Sequence, residues 1–425
     1  MLSDSSPLSA PTTGAGRRPR AIPVPMLLSL ALLSAIAPLA TDMYLPGLPR
    51  VVDELAASPS AVQLTLTSFM LGLAAGQLLT GPLSDGVGRR RPLLVGTVLL
   101  TLAGLGCAVA PSIGVLIAVR FLQGLTGGMG VVVARAVIAD RTEGDQAAKL
   151  FSIMMIITSA APVVAPLLGG ALVGPIGWRG VFYVLTGLAL VMLLAVARFV
   201  PETLPVERRH PVQPRVIARS FGSVLGDRLY LGYTLTFGIG FGAMFGYISA
   251  SPFVIQDLMG FSPGMYSVLF AINALGIGAA GTANTRLVGR LRPQTLLAIG
   301  VGVLLVVGAA MLVVALVAAD VHWLLLVLMF CLTSTFGFTA GNATALALGQ
   351  VRDRAGAGSA VLGTLQFTVG AVVSPLVGIG GSTSVLPMAI VIFTCTVLAA
   401  GAFTTTLRHP GGRVSGSRPS DAAAR

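Results

Sequence analysis

Residues 163–169 read VVAPLLG, and residues 372–378 read VVSPLVG. Each copy lies in an apolar run of about twenty residues, the length that crosses a bilayer as a helix, and the second run follows the first at an interval of six. Another pair keeps that interval: SDGVGRRRP (84–92) follows the second run, and TRLVGRLRP (285–293) follows the eighth. One such match is chance-level in so apolar a chain. Two at the same offset point to a duplicated unit of six apolar segments. Parallel repeats of six helices are one of the transporter architectures, with the cargo site between the repeats near the bilayer midplane.

The composition agrees with that reading. Of 425 residues, 55% are hydrophobic and 10% charged, and the mean hydropathy is +0.90. The surface of a soluble domain needs far more charge. A transmembrane barrel would show short alternating segments instead of long apolar runs. Twelve spans are expected, near 24–45, 60–82, 92–111, 113–139, 149–172, 180–200, 229–253, 265–287, 294–318, 322–349, 358–379 and 385–407. The fold class is therefore an all-α polytopic membrane protein of two six-helix pseudo-repeats, 24–200 and 229–407. They are joined by a polar linker at 201–228 and flanked by disordered tails at 1–23 and 408–425.

Charge placement orients the chain. All but four of its 27 Lys and Arg fall on one side of these spans; Arg50 and Arg179 lie on the other, and Arg120 and Arg135 lie inside span 4. Basic loops face the cytoplasm. That puts both termini on the cytoplasmic side of a cell membrane, and the net charge of +12 needs no nucleic-acid partner. No signal-peptide cleavage pattern follows the first run directly. Cys107, Cys331 and Cys395 all lie in apolar runs and read as packing. His210, His322 and His409 fall in loops or at span ends. No P-loop, Ser-His-Asp or metal spacing is visible, so neither an enzyme nor a cofactor or metal site is expected.

The ionisable residues inside the spans carry the chemistry. Asp42 lies in APLATDMYLP (37–46), with no other acid within ten residues on either side. An acid held in hydrocarbon costs about 3 kcal/mol, so Asp42 either ends a helix among the headgroups or serves a site. Arg120 in RFLQGLTGG (120–128) lies about 12 Å below the outer end of its span, within about two turns of the depth of Asp42. Gln123, Gly124 and Gly127 share its face. This face looks into the bundle, either toward a wet cavity or tied to backbone carbonyls.

The stretch GPLSDGVGRRRP (81–92) reads either as a plain tight turn or as a latch. In the latch, Gly81 and Gly88 allow close approach, and Asp85 pairs with Arg89 or Arg90. APVVAPLLGG (161–170), with Pro162, Pro166, Gly169 and Gly170, is a kinked seam or a pivot. Tyr44, the stripe Phe237, Phe241 and Phe245, and the amides Asn273, Asn342 and Gln366 are candidates to line a cavity, packing being the alternative.

With these residues in place, the chain resembles the major facilitator superfamily, in its twelve-helix drug:proton antiporter group. GPLSDGVGRRRP, RFLQG and the Pro/Gly stretch match its loop 2–3, helix-4 and helix-5 signatures, with Ala165 where the last usually has Gly. PLATDMYLPGLP (38–49), WRGVF (178–182), PETL (201–204), SPFVIQDLMGFSP (251–263) and AGSAVLGTLQF (357–367) resemble the Bcr/CflA branch, named for bicyclomycin resistance. The resemblance implies export of drugs or other small toxic compounds in exchange for protons, by alternating access, from a monomer in the lipid bilayer. Asp42 would bind proton and substrate, Arg120 would couple to it, Gln123 would support it, and Asp85 with Arg89 would latch the cytoplasmic side. Span 1 holds no second carboxylate one turn or two deeper. The alternative is a transporter of the same fold for one endogenous metabolite. A receptor would need no intramembrane acid.

Overall fold

The computed structural model describes residues 22–142, 144–209, 221–318, 321–379 and 384–407, without the side chains of Ala148 and Arg208. The tail at 1–23 except its last two residues, the whole tail at 408–425 and the middle of the linker, 210–220, lie outside these residues, and with them the expected disorder of the tails, His210 and His409.

Among the described residues the chain is helical, with one isolated backbone bridge, Val288–Leu291. Eleven helices are long and apolar enough to cross a membrane. In chain order the elements are α1 (Val24–Asp42), the short α2 (Leu48–Glu54), α3 (Pro59–Val87), α4 (Arg90–Ala108), α5 (Ile113–Arg141) and α6 (Gly144–Phe199). Then come α7 (Arg228–Pro252), α8 (Pro263–Leu287), α9 (Pro293–Val317), α10 (His322–Gln350), α11 (Ala355–Leu376) and α12 (Leu386–Leu407). The 56 residues of α6 would reach far beyond any bilayer if straight, at 1.5 Å per residue. Gly177, at φ 67° and ψ 179°, breaks it into the two expected spans. Only glycine adopts that backbone without strain.

The first six spans and the last six pack in the same pairwise pattern. α3 lies on α5 as α8 lies on α10, and α4 on α5 as α9 on α10. In the first set the α3–α5 contact is backbone on backbone. A Cβ on Gly72 would run into the Phe121 carbonyl, on Gly76 into that of Leu125, on Gly124 into that of Phe69 and on Gly128 into that of Leu73. Two facing pairs of glycines four residues apart thus let these helices touch. The two sets meet through α3 with α11 and α6 with α8.

The apolar core shows how the two sets are joined. At the end of the bundle that carries α2 and Trp178, one buried cluster runs through both sets, from Tyr44 and Trp178 to Phe245 and Tyr266. At the opposite end, beside the linker, the core is split. One cluster from Met26 to Val200 belongs to the first set, and another from Val224 to Phe403 belongs to the last. The molecule is zipped at the far face and parted at the linker face.

Candidate functional site

A cavity of about 240 Å³ lies between the sets. The first set lines it with Pro38, Thr41, Asp42, Met70 and Pro162, among others; the last set contributes Phe241, Phe245, Tyr247, Phe270, Asn273 and Phe367. Among the described residues Asp42 is its one carboxyl group and no Lys, Arg or His lines it; only 7% of Asp42 is exposed. Phe241 and Phe245 stack at 5.7 Å, as their spacing of four on one helix face requires. Asn273 donates to the Tyr247 hydroxyl. Tyr247 and Phe270 also stack, at 6.0 Å.

Asp42 is the last residue of α1. The chain turns there because Pro46 and Pro49 cannot continue the helical hydrogen bonding. It then passes through a 3₁₀ turn, Leu45–Gly47, into α2. Trp178 holds this segment in place: Gly47 lies against its Cβ, and its Nε1 donates to Glu54 at 2.7 Å. Arg179 stacks over the Trp178 ring at 4.2 Å and donates to the carbonyls of Ala108 and Ala110. WRGVF is thus the anchor of the Asp42 segment.

Arg120 does not pair with Asp42. Among the described residues no ion pair joins them. The guanidinium is fully buried, donates to Gln123 Oε1 at 2.7 Å and to the Ala40 carbonyl at 3.2 Å, and lies over the Phe69 ring at 4.2 Å. The physical reason is the end of α1: carbonyls in its last turn lack helical partners, and Ala40 offers one two residues from the acid. Gln123 supports Arg120 directly. Tyr44 also sits outside the cavity, tilted against Phe182 with ring centroids 5.0 Å apart and its hydroxyl accepting from Thr65. Among the described residues Nε and Nη2 of Arg120 have no hydrogen-bond partner; its ring contacts supply cation–π attraction in their stead.

Other expected residues divide. Pro162, Phe241, Phe245 and Asn273 line the cavity; Phe237, Asn342 and Gln366 do not. Phe237 packs on Phe336, and Asn342 donates to Asn284 and to the Phe338 carbonyl, joining α10 to α8. Gly169 abuts the Met43 carbonyl, and Gly170 abuts Ser267 and Pro263 of α8. The helix-5 stretch is therefore a seam between the sets at the far face. Tyr247 was not among the sequence candidates, although a hydroxyl inside an apolar span is a signal of a partner or a site.

The far face is closed by hydrogen bonds between the sets. Gln63 Nε2 donates to the Ser249 carbonyl at 3.0 Å, Ser374 Oγ to that of Gln63 at 3.2 Å, and Thr67 Oγ1 to that of Ala371 at 2.8 Å. Gly378 leaves room for the Gln63 side chain.

At the linker face, α3 runs on to Val87, so Gly81 lies within a helix, and a Cβ there would meet nothing. The turn is made by Gly88 at φ 95°. Arg89 pairs with Asp85 and with Asp140 at 2.9 Å. The Glu202 carboxylate accepts from the backbone N–H of Arg89 at 2.9 Å and of Arg90 at 3.3 Å, and Arg90 reaches the Ala197 carbonyl. All these groups belong to the first set and the linker, so the network fastens the turn to its own half. In this arrangement none of these contacts reaches the other half.

Burial works against the charge of Arg89, and Asp140 and Asp85 outweigh it, holding the guanidinium above its ordinary range. Burial likewise opposes the Glu202 charge, but the N–H groups of Leu204, Arg89, Arg90 and Thr203 hold it below the usual carboxylate range. A depressed carboxylate stabilises above its ordinary range and stops doing so as pH falls through the folded value. Glu202→Gln is expected to cost about 1 kcal/mol at neutral pH. The difference in melting temperature from the wild type should vanish as pH drops below the carboxylate range; an equal loss at every pH would refute the charge-based account.

Residues 30–375 match the family description Major Facilitator Superfamily. The "Uncharacterized MFS-type transporter YdgK" of Bacillus subtilis (strain 168) is 40% identical over 88% of this chain and 93% of its own length. The "Bicyclomycin resistance protein homolog" of Haemophilus influenzae is 30% identical over 89% and 94%. Among solved structures, a point mutant of the nucleoside transporter NupG superimposes with a TM-score of 0.74 at 12% identity, covering 90% of this chain and 100% of that one. At that identity the likeness is one of fold. The chain belongs to the Major Facilitator Superfamily, a multi-pass membrane transporter and not an enzyme, in the branch whose relatives are named for drug resistance.

Proposed function

We propose that the protein exports small drug-like compounds from the cytoplasm in exchange for protons, as a monomer, with Asp42 carrying the proton and the central cavity holding the cargo. The observation that carries this reading is Asp42: among the described residues, the one charged group lining a largely apolar and aromatic cavity between the two sets. The name of the bicyclomycin-resistance relative supports the choice of cargo.

The arginine-rich linker face is the cytoplasmic one, so the arrangement with the far face zipped is inward-facing. Export requires the Gln63–Ser249 and Thr67–Ala371 bonds to part and the split cores at the linker face to meet. A carboxyl group loses less on burial as the neutral acid than as the anion. A proton on Asp42 therefore favours a dry, empty cavity, whereas a cationic or polar cargo replaces it. Competition between proton and cargo for one group is what couples their flows.

The test is drug-susceptibility profiling of cells expressing the protein, with cargo uptake into everted vesicles under an imposed proton gradient. Uptake that is unchanged when the gradient is collapsed would sink the proposal.

Tyr247 lines the same cavity as Asp42 from the opposite set. Asn273 donates to its hydroxyl and fixes its direction. Tyr247→Phe is expected to raise the KM for a polar cargo about tenfold, the value of one buried hydrogen bond, while leaving the folded fraction unchanged. An unchanged KM would remove Tyr247 from the site.

A further inference from the structure

The two repeated turns at the linker face share a backbone but not a charge balance. SDGVGRRRP turns on Gly88 at φ 95°, and TRLVGRLRP turns on Gly289 at φ 93°. In the first, Arg89 is matched by Asp85 and Asp140 and the backbone by Glu202. In the second, the position of Asp85 is taken by Arg286. Among the described residues, Arg286, Arg290 and Arg292 form no ion pair, and all three are exposed.

The turn is compact, with the N–H groups of Arg290 and Leu291 both donating to the Leu287 carbonyl. Arg286 and Arg290, four residues apart, are thus held close together. Arg352 and Arg354 lie in a 3₁₀ turn just after the end of α10, the helix packed on α8 and tied to it by Asn342–Asn284. The acids of that region are Asp353, between these two arginines, and Asp227, which caps α7. Val288, 50% exposed, and Leu291, 39% exposed, interleave the arginines.

We infer that this turn binds the phosphate-bearing headgroup of an anionic phospholipid, Arg286, Arg290 and Arg292 holding the phosphate while Val288 and Leu291 contact the acyl chains. Guanidinium forks match phosphate geometry, and each arginine near a membrane surface adds about fivefold to the binding of an anionic lipid. The apolar pair in the same turn favours a lipid over a free anion. The inference does not depend on what the central cavity carries.

The experiment is native mass spectrometry of the purified full chain with phosphatidylglycerol or phosphatidylcholine. The wild type is expected to retain phosphatidylglycerol preferentially. Arg286→Asp restores the pattern of the first turn, in which Asp85 pairs with Arg89, so the fold has a precedent for it. It removes one arginine and occupies a second, which should cut the preference about twentyfold. Arg91→Gln, in the first turn, should leave the preference intact. No preference in the wild type, an undiminished preference in Arg286→Asp, or displacement of the lipid by millimolar inorganic phosphate would each overturn the assignment.

Discussion

Asp42→Asn is expected to end proton-driven export while leaving the protein folded and inserted. The amide has the shape of the acid but cannot give up a proton, and no other carboxyl group lines the cavity to replace it. One charge moving through 100 mV is worth about 2.3 kcal/mol, or about fiftyfold in the concentration ratio a coupled exporter can sustain. The variant should lose that factor and tolerate drug no better than cells without the protein. Stability should not fall. Among the described residues Asp42 has no ion pair to lose, and removing an unpaired buried carboxyl is neutral or favourable. Drug tolerance and gradient-driven uptake in vesicles read the first effect, and thermal unfolding the second. Full transport by a stable Asp42→Asn protein would assign the proton elsewhere.

Gly76→Val is expected to have the opposite signature, a loss of the folded protein itself. The Gly76 position faces the Leu125 carbonyl of α5, so the clash is with backbone, which no rotamer change relieves. Overpacking of this kind costs about 3 kcal/mol, and in a membrane such seams are held mainly by close packing and not by expulsion of water. The consequences extend to the site, because α5 carries Arg120 and α3 carries Met70. Gly81→Ala on the same helix is the control: a Cβ there meets nothing, and alanine favours the helix over glycine by about 1 kcal/mol. The fraction of monodisperse protein after heating should drop steeply for Gly76→Val and hold or rise for Gly81→Ala. Equal behaviour of the two would mean that the α3–α5 seam is not tight.

Much of this architecture was legible in the chain. Apolar run length marked every span, including the two joined in α6, because hydrophobic thickness sets span length whatever the packing. The isolation of Asp42 marked it as a candidate, and it lines the central cavity; the spacing of Phe241 and Phe245 placed both on one face of α7. Direction around a helix axis was harder to read. Asp42 and Arg120 lie at similar depths, yet Arg120 turns to the Ala40 carbonyl, an acceptor that exists because α1 stops at Asp42. Phe237 shares the stripe with Phe241 but lies one turn nearer the linker face, beyond the cavity. The partners of Arg89 come from Asp140 and Glu202, 51 and 113 residues away in sequence, so spacing alone showed only Asp85. Nothing local revealed that the network closes on its own half.

Substrate-induced proton release from the purified protein, in weakly buffered detergent solution, tests the central claim most directly. On addition of a cargo identified by susceptibility profiling, the wild type is expected to release about one proton per bound molecule near neutral pH, and Asp42→Asn none, with cargo binding still detectable in both. Release of the same number of protons by Asp42→Asn would contradict the claim that cargo and proton compete for Asp42.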